Sequence, residues 1–238
     1  MVPEEASRVM RERLEAMGHW VMMAPLLSIS FEQSDIDLEG VQAIVATSRN
    51  AIRALETHPD KARITALPIL AVGAGTGAAA RAAGFSVLAE GKGGGADLAQ
   101  LIVRVLDPQK GALLHICGDV VAYNLKAALV PKGVSVRRAV LYRSHTADAL
   151  PDRVVQALRS GELDAVLLMS PRTAEVWERL VKQAGLASEA KALIHLCLSE
   201  AVARPARQLG AGIIRVAVQP NSEEMLALAG QLASSAAR

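Results

Sequence analysis

Short apolar runs alternate with amphipathic stretches along nearly the whole chain, and each change of period marks an element. The clearest unit spans residues 113–143. An apolar run at 113–116 predicts a strand, Gly118-Asp119 a turn, and 120–129 an amphipathic helix. Pro131-Lys132-Gly133 stops that helix, and a β-branched run ending at Tyr142 predicts a second strand. The same unit recurs in weaker form. Strands are predicted at 20–29 (interrupted by Pro25), 41–48, 68–72, 85–89, 165–169, 192–198 and 213–218. Helices are predicted at 50–55, from the GAGTG turn to Gly84, and at 97–106, 151–160, 173–184, 201–209 and 223–233. A first helix has Pro3 at its opening position, Glu4 and Glu5 in its first turn, and Ala6, Val9, Met10, Leu14 and Met17 on one face, with Gly18 as its stop.

Strands that are apolar throughout, alternating with helices, predict parallel sheets covered on both faces. Nine or ten strands are many for one open sheet. Polar stretches at 31–39 and 144–150 divide the chain into two lobes, each a parallel sheet flanked by helices. Residues 34–144 form one lobe, and 1–30 with 147–238 form the other, so the chain crosses twice. Aromatic residues make up only 3% of the 238, so the core must be aliphatic and platforms for stacking bases are scarce. A net charge of +2 without a basic block adds nothing in favour of nucleic acid. The two cysteines, Cys117 and Cys197, have no partner at ligand spacing and end apolar runs; they read as core residues of a protein in a reducing cytoplasm. The N-terminus has no apolar signal region, and no run reaches the length of a membrane span, so neither secretion nor a membrane is expected.

In parallel sheets the functional loops follow the carboxyl ends of the strands. There the chain places Thr47, Ser48 and Asn50; Gly73 to Gly77; Gly91 to Gly95; Gly118 and Asp119; Tyr142 and Arg143; Ser170 and Thr173; Ser199; and Gln219 to Ser222. Nearly all are small or hydroxylic and most precede a helix. Taken singly they are ordinary caps and turns. Converging at sheet edges, they offer free amides and helix dipoles to an anion. Of the histidines, His115 and His195 lie inside apolar strands and read as core; His19, His58 and His145 lie in polar turns. Asp119 reads as a cap for the helix after it. Tyr142 is either a packing residue with a wet tip or a weak general acid.

A competing motif is Gly73-Ala-Gly75-Thr-Gly77-Ala78. It follows a strand, opens a helix and fits the dinucleotide fingerprint, with Glu90 near the offset of a ribose-binding acid. An NAD(P)-dependent oxidoreductase is therefore one alternative, and a non-catalytic two-lobed ligand-binding module is another.

The ordered set VATSRNAIRAL, LAVGAGTGAAARAAGF, GGGADLAQLI, LLHICGD with VLYRS, AVLLMSPRTAEVW and CLSEAVA resembles the uroporphyrinogen-III synthase family across the chain. The resemblance implies two flavodoxin-like α/β lobes joined by a β-ladder, a monomer, and no cofactor. It implies closure of linear hydroxymethylbilane, an octacarboxylate, to uroporphyrinogen III, with inversion of the last ring and loss of water. The family's tyrosine matches Tyr142, its hydroxyl positions match Thr76, Ser170 and Ser199, its turn glycine matches Gly118, and its first Thr-Ser matches Ser48. With the strand-end residues Gly73, Gly95, Ala96 and Thr173, these form the expected substrate site, with Tyr142 as the acid. The resemblance departs at the start. The family opens with a strand ending in Thr-Arg-Pro, whereas this chain opens with Met1-Val2-Pro3, so one lobe is expected to lack that strand and its arginine.

Overall fold

The computed structural model describes residues 4–233, so the opening proline expected at position 3 lies outside the described residues. In chain order the elements are α1 (Glu4–Ala16), β1 (Leu27–Phe31), β2 (Val41–Ala46), α2 (Arg49–Glu56), α3 (Lys61–Ile64), β3 (Ile69–Ala71), α4 (Ala74–Ala82), β4 (Val87–Glu90) and α5 (Gly95–Val105). They continue with β5 (Ala112–Gly118), α6 (Leu125–Leu129), β6 (Val136–Thr146), α7 (Asp152–Ser160), β7 (Ala165–Leu168), α8 (Pro171–Gln183) and α9 (Ala187–Ala192). The chain ends on β8 (Ile194–Cys197), α10 (Glu200–Leu209), β9 (Ile213–Val216) and α11 (Ser222–Ala233). The chain divides into two compact units, residues 1–28 with 146–238, and residues 29–145.

The unit of residues 29–145 is built on a six-stranded sheet of order β1-β6-β5-β2-β3-β4. From β6 to β4 all pairs are parallel. Counted from β2, this run has the order 3-2-1-4-5, which reverses direction between β2 and β5. Alternate residues feed two cores. Ile44, Ala46, Leu114 and Ile116 face Ile52 and Leu55 of α2, Ile64 of α3 and Ala80 of α4. Ala43, Val45 and Leu113 face Leu98 and Ile102 of α5 and Leu125 and Leu129 of α6. This alternation is why the strands read as continuously apolar. At the edge, the Glu32 N–H donates to the Leu141 carbonyl, and the Ala147 N–H to the Leu26 carbonyl. Rising numbers on one strand meet falling numbers on the other, so β1 runs antiparallel to β6.

The other unit has a three-stranded parallel sheet of order β7-β8-β9. Leu168 and Cys197 pack with Val154 and Leu158 of α7, Trp177 and Leu180 of α8 and Val202 of α10. On the opposite face, Leu196 and Ala217 pack with Met10 and Leu14 of α1 and Met225 and Leu226 of α11. Arg13 clamps Glu223 with contacts of 2.5 and 2.8 Å, tying α1 to α11.

Several boundaries differ from the pattern-based expectation, each for a local reason. The strand expected over 20–29 begins only at Leu27, after Pro25, which cannot donate to a ladder. The helix expected from Val120 begins at Leu125, because Asn124 is its cap: Asn124 Oδ1 accepts the Ala127 N–H at 3.1 Å. Asp119 is therefore not a helix cap. The polar joint at 144–150 is partly strand, since β6 continues to Thr146. His58, expected in a polar turn, is buried; its ring contacts the Ser34 carbonyl at 3.0 Å and accepts the Asp60 N–H at 3.1 Å. Both cysteines are free and buried, and burial pushes the Cys197 thiol up to about 11. Among the described residues no helix is long and apolar enough to cross a membrane.

Candidate active site

In an open parallel sheet the ligand crevice lies beyond the carboxyl ends of the two strands at which the order reverses. Here those strands are β2 and β5, followed by Thr47-Ser48 and by Gly118-Asp119. Tyr142, on β6 beside β5, is brought to the same place. Its hydroxyl lies 2.8 Å from Ser48 Oγ. Ser48 is also the cap of α2, with its Oγ accepting the Ala51 N–H at 3.2 Å. The phenol is thus anchored to a group already fixed by a helix end.

How Tyr142 reaches Ser48 depends on a slip in register. Cys117 pairs with Val140, but Gly118 pairs with Tyr142, so Leu141 is skipped. Ala139 and Leu141 face the α2 side, and strict alternation would turn Tyr142 to the α5 side. With the extra residue, Leu141 and Tyr142 both join the core under α2. Gly118 makes room for the ring. A Cβ at Gly118 would lie 2.6 Å from Cε2 of Tyr142 and 3.0 Å from Cζ, closer than carbon atoms pack.

The electrostatics keep this phenol protonated. Burial raises its pKa above the ordinary value, with the charge of Asp119 among the further causes; hydrogen bonds from Ser48 and from the Gly118 backbone only partly offset this. Behind it, His115 is buried, and its Nε2 sits 3.2 Å from Thr47 Oγ1. Burial, with Arg138 nearby, lowers its pKa to about 4, so the imidazole is neutral. A protonated phenol beside a hydroxyl can donate to a departing oxygen; the neutral imidazole behind Thr47 adds no positive charge.

The other expected site residues fall into separate groups. Gly73 starts α4, and its Cβ position would meet Gly93 Cα at 3.2 Å, because the two glycine-rich turns pack together. Thr76 is buried in the first turn of α4, and Gly95 and Ala96 open α5 under Tyr123. These turns follow β3 and β4, outward from the reversal point. In the other unit, Ser170 caps α8. It accepts the Thr173 N–H at 3.1 Å and lies 2.7 Å from Thr173 Oγ1, so these two expected residues meet. Ser199 starts α10 at the next strand end, and its side chain makes no cap bond.

The dinucleotide fingerprint sits on the wrong strand for its purpose. It follows β3, whereas the phosphate turn of that fold follows the strand at the reversal point. Glu90, which that reading needs for a ribose, is 2.5 Å from Arg81 and fills the space beside Gly77. Sequence reasoning sets Asp119 among the strand-end residues but reads it as a helix cap, and it misses the register slip. The slip has no signal in the residues.

Fold and site together define a two-unit α/β protein whose strand-end amides and hydroxyls suit an anionic ligand, with a phenol at the reversal point. The chain belongs to the uroporphyrinogen-III synthase family: the HEM4 family model, described as uroporphyrinogen-III synthase HemD, matches residues 8–227. It is thereby an enzyme of tetrapyrrole biosynthesis acting on a small molecule. Among solved structures it is similar to the uroporphyrinogen-III synthetase of Helicobacter pylori, with 17% identity, a TM-score of 0.66, and 90% of this chain and 96% of that chain covered. A mutant uroporphyrinogen III synthase of the extremely thermophilic bacterium Thermus thermophilus is similar at 19% identity and a TM-score of 0.60, covering 98% and 97%. No curated protein matches the chain in sequence.

Proposed function

We propose that the chain closes hydroxymethylbilane to uroporphyrinogen III as a cyclising hydro-lyase, with Tyr142 as the acid that assists loss of the terminal hydroxyl. The observation that carries this reading is the protonated phenol of Tyr142, 2.8 Å from Ser48 Oγ at the reversal point of the sheet. With Ser48 donating to the phenol oxygen, the phenolic proton is free for the leaving hydroxyl. Loss of water leaves a cation on the first ring. The last ring attacks through its substituted carbon, and the spiro product rearranges before closure. The protein's main work is then to hold the folded chain so that this path outruns direct closure.

Substrate carboxylates are assigned to strand-end groups: Ser48, Gly118, Gly73, Thr76, Gly95 and Ala96 in one unit, Ser170, Thr173 and Ser199 in the other. A charge-assisted hydrogen bond contributes about 1.5–3 kcal/mol, so rows of amides and hydroxyls can hold an octacarboxylate without an arginine cluster. The reading includes a cytoplasmic monomer that needs no cofactor and takes no nucleic acid.

The test is incubation with freshly generated hydroxymethylbilane and separation of the isomers. Isomer III is expected; isomer I alone, the spontaneous product, would overturn the proposal. Tyr142→Phe should lower the rate by about 10²–10⁴-fold. A loss of only a few-fold would leave Tyr142 a packing role.

A further inference from the structure

The acid role of Tyr142 leaves one neighbour unexplained. Asp119 is a carboxylate at the reversal point, where the surrounding turns suit anions. Its Oδ1 accepts the Ser144 N–H at 3.2 Å, and its own N–H donates to the Tyr142 carbonyl at 3.2 Å. The side chain is otherwise exposed. Slight burial raises its pKa, but the backbone N–H groups of Ser144, Val120 and Asp119 itself, with Arg143 nearby, bring it below the ordinary value and keep it charged. Glu90, the carboxylate that ends β4, is neutralised by Arg81. Asp119 forms no ion pair among the described residues, and Arg143 is engaged with Glu32 at 3.1 Å.

A fixed negative charge here costs affinity for an octacarboxylate, since like charges across a binding surface repel. It is useful only where the reaction creates the opposite charge. The acid-assisted loss of hydroxyl does so, beside the phenol to whose strand Asp119 is bonded.

We infer that Asp119 faces the pyrrole N–H of the ring that loses its hydroxyl and stabilises the positive charge formed there, an assignment that rests on the reading of Tyr142 above. In that step the carbon–oxygen bond breaks and oxygen keeps the electron pair. The phenol proton completes a water molecule. The pyrrole nitrogen's lone pair fills the vacated carbon, leaving one positive charge shared by nitrogen and carbon. Closure later releases a ring proton, which returns to the phenolate. Asp119 stays ionised throughout and only accepts the N–H hydrogen bond.

Asp119→Asn separates this from a structural role, because its amide oxygen can still accept the Ser144 N–H. Wild type is assayed first for isomer III; if it yields only isomer I, the enzyme reading itself fails. Given an active wild type, the variant should lose about tenfold or more in kcat. KM should fall by about two- to fivefold, as repulsion of the substrate carboxylates is relieved. Asp119→Glu, which restores the charge, should recover part of kcat. A kcat for Asp119→Asn within about twofold of wild type, at any KM, would overturn the assignment while leaving the enzyme reading intact. Equal kcat losses in the Asn and Glu variants, with lowered thermal midpoints, would show a structural turn instead. Should Asp119→Asn fail to fold, Asp119→Ser takes its place under the same criteria.

Discussion

Replacing Gly118 by alanine asks whether the placement of the phenol carries activity, beyond its presence. The added methyl would sit 2.6 Å from Cε2 of Tyr142 and 3.0 Å from Cζ. Carbon atoms pack at about 3.5–4.0 Å, so ring or strand must give by about 1 Å. Gly118 is held in the ladder opposite Tyr142, and the ring is packed in the core with Ile116 and Leu141. The ring therefore swings, and the 2.8 Å contact with Ser48 is lost. Overpacking of this kind costs about 1–3 kcal/mol of stability. A reacting group displaced by about 1 Å costs about 10²-fold in rate. The assay is the initial rate of isomer III formation, beside the urea midpoint of unfolding. The control is the same change in a Tyr142→Phe background, where the acid is already absent and Gly118→Ala should cost less than about threefold more. Wild-type rate in the single variant at reduced stability, or a full 10²-fold loss repeated in the double variant, would refute the reasoning.

Three further outcomes are expected. Ser48→Ala removes both the partner of the phenol and the α2 cap, lowering stability by about 1–2 kcal/mol and kcat by about tenfold; Ser48→Thr should retain most of both, and an active, stable alanine variant would remove Ser48 from the site. His115 has a folded pKa of about 4 against 6.5 unfolded, so below pH 6.5 the unfolded chain binds more protons and stability falls with pH. The loss is at most about 3 kcal/mol by pH 4, and His115→Gln should flatten the denaturant-measured slope between those limits; an unchanged slope would contradict the assignment. Calorimetric titration with NAD and NADP should show no binding heat, whereas a micromolar site would revive the nucleotide reading of Gly73 to Ala78.

Much of the fold was legible because the strands are buried on both faces and their apolar runs cannot be mistaken for solvent-facing ribbon. The runs at 41–48, 113–116 and 192–198 gave β2, β5 and β8 to within two residues at either end. Legibility failed where a single polar contact outranks periodicity. Asn124, by capping α6, left 120–124 outside any helix although Val120 fits the apolar pattern. The short helices α3 and α9 carry too few turns for a period to register. For the site, Tyr142 and Ser48 could be named from the sequence, but their pairing depends on the skipped Leu141, which periodicity cannot reveal because alternation predicts the opposite face. Asp119 reads as a cap because a carboxylate after Gly118, with no visible partner, fits that role equally well. Its bond to Ser144 spans two strands and exists only once β6 is paired.

The skipped residue also determines what supports the phenol. Candidate acids on loops owe their position to whatever orders the loop, often the ligand itself. Tyr142 instead hangs from a laddered strand, displaced by one residue of surplus chain at Leu141. Its aim is therefore a matter of pairing, set by Tyr142 and not Leu141 standing opposite Gly118. Deleting Leu141 would bring the tyrosine directly after Val140, still opposite Gly118 and on the α2 side, and would remove only the surplus residue. Pairing Leu141 with Gly118 instead would turn the ring toward α5 and away from Ser48 with the sequence unchanged.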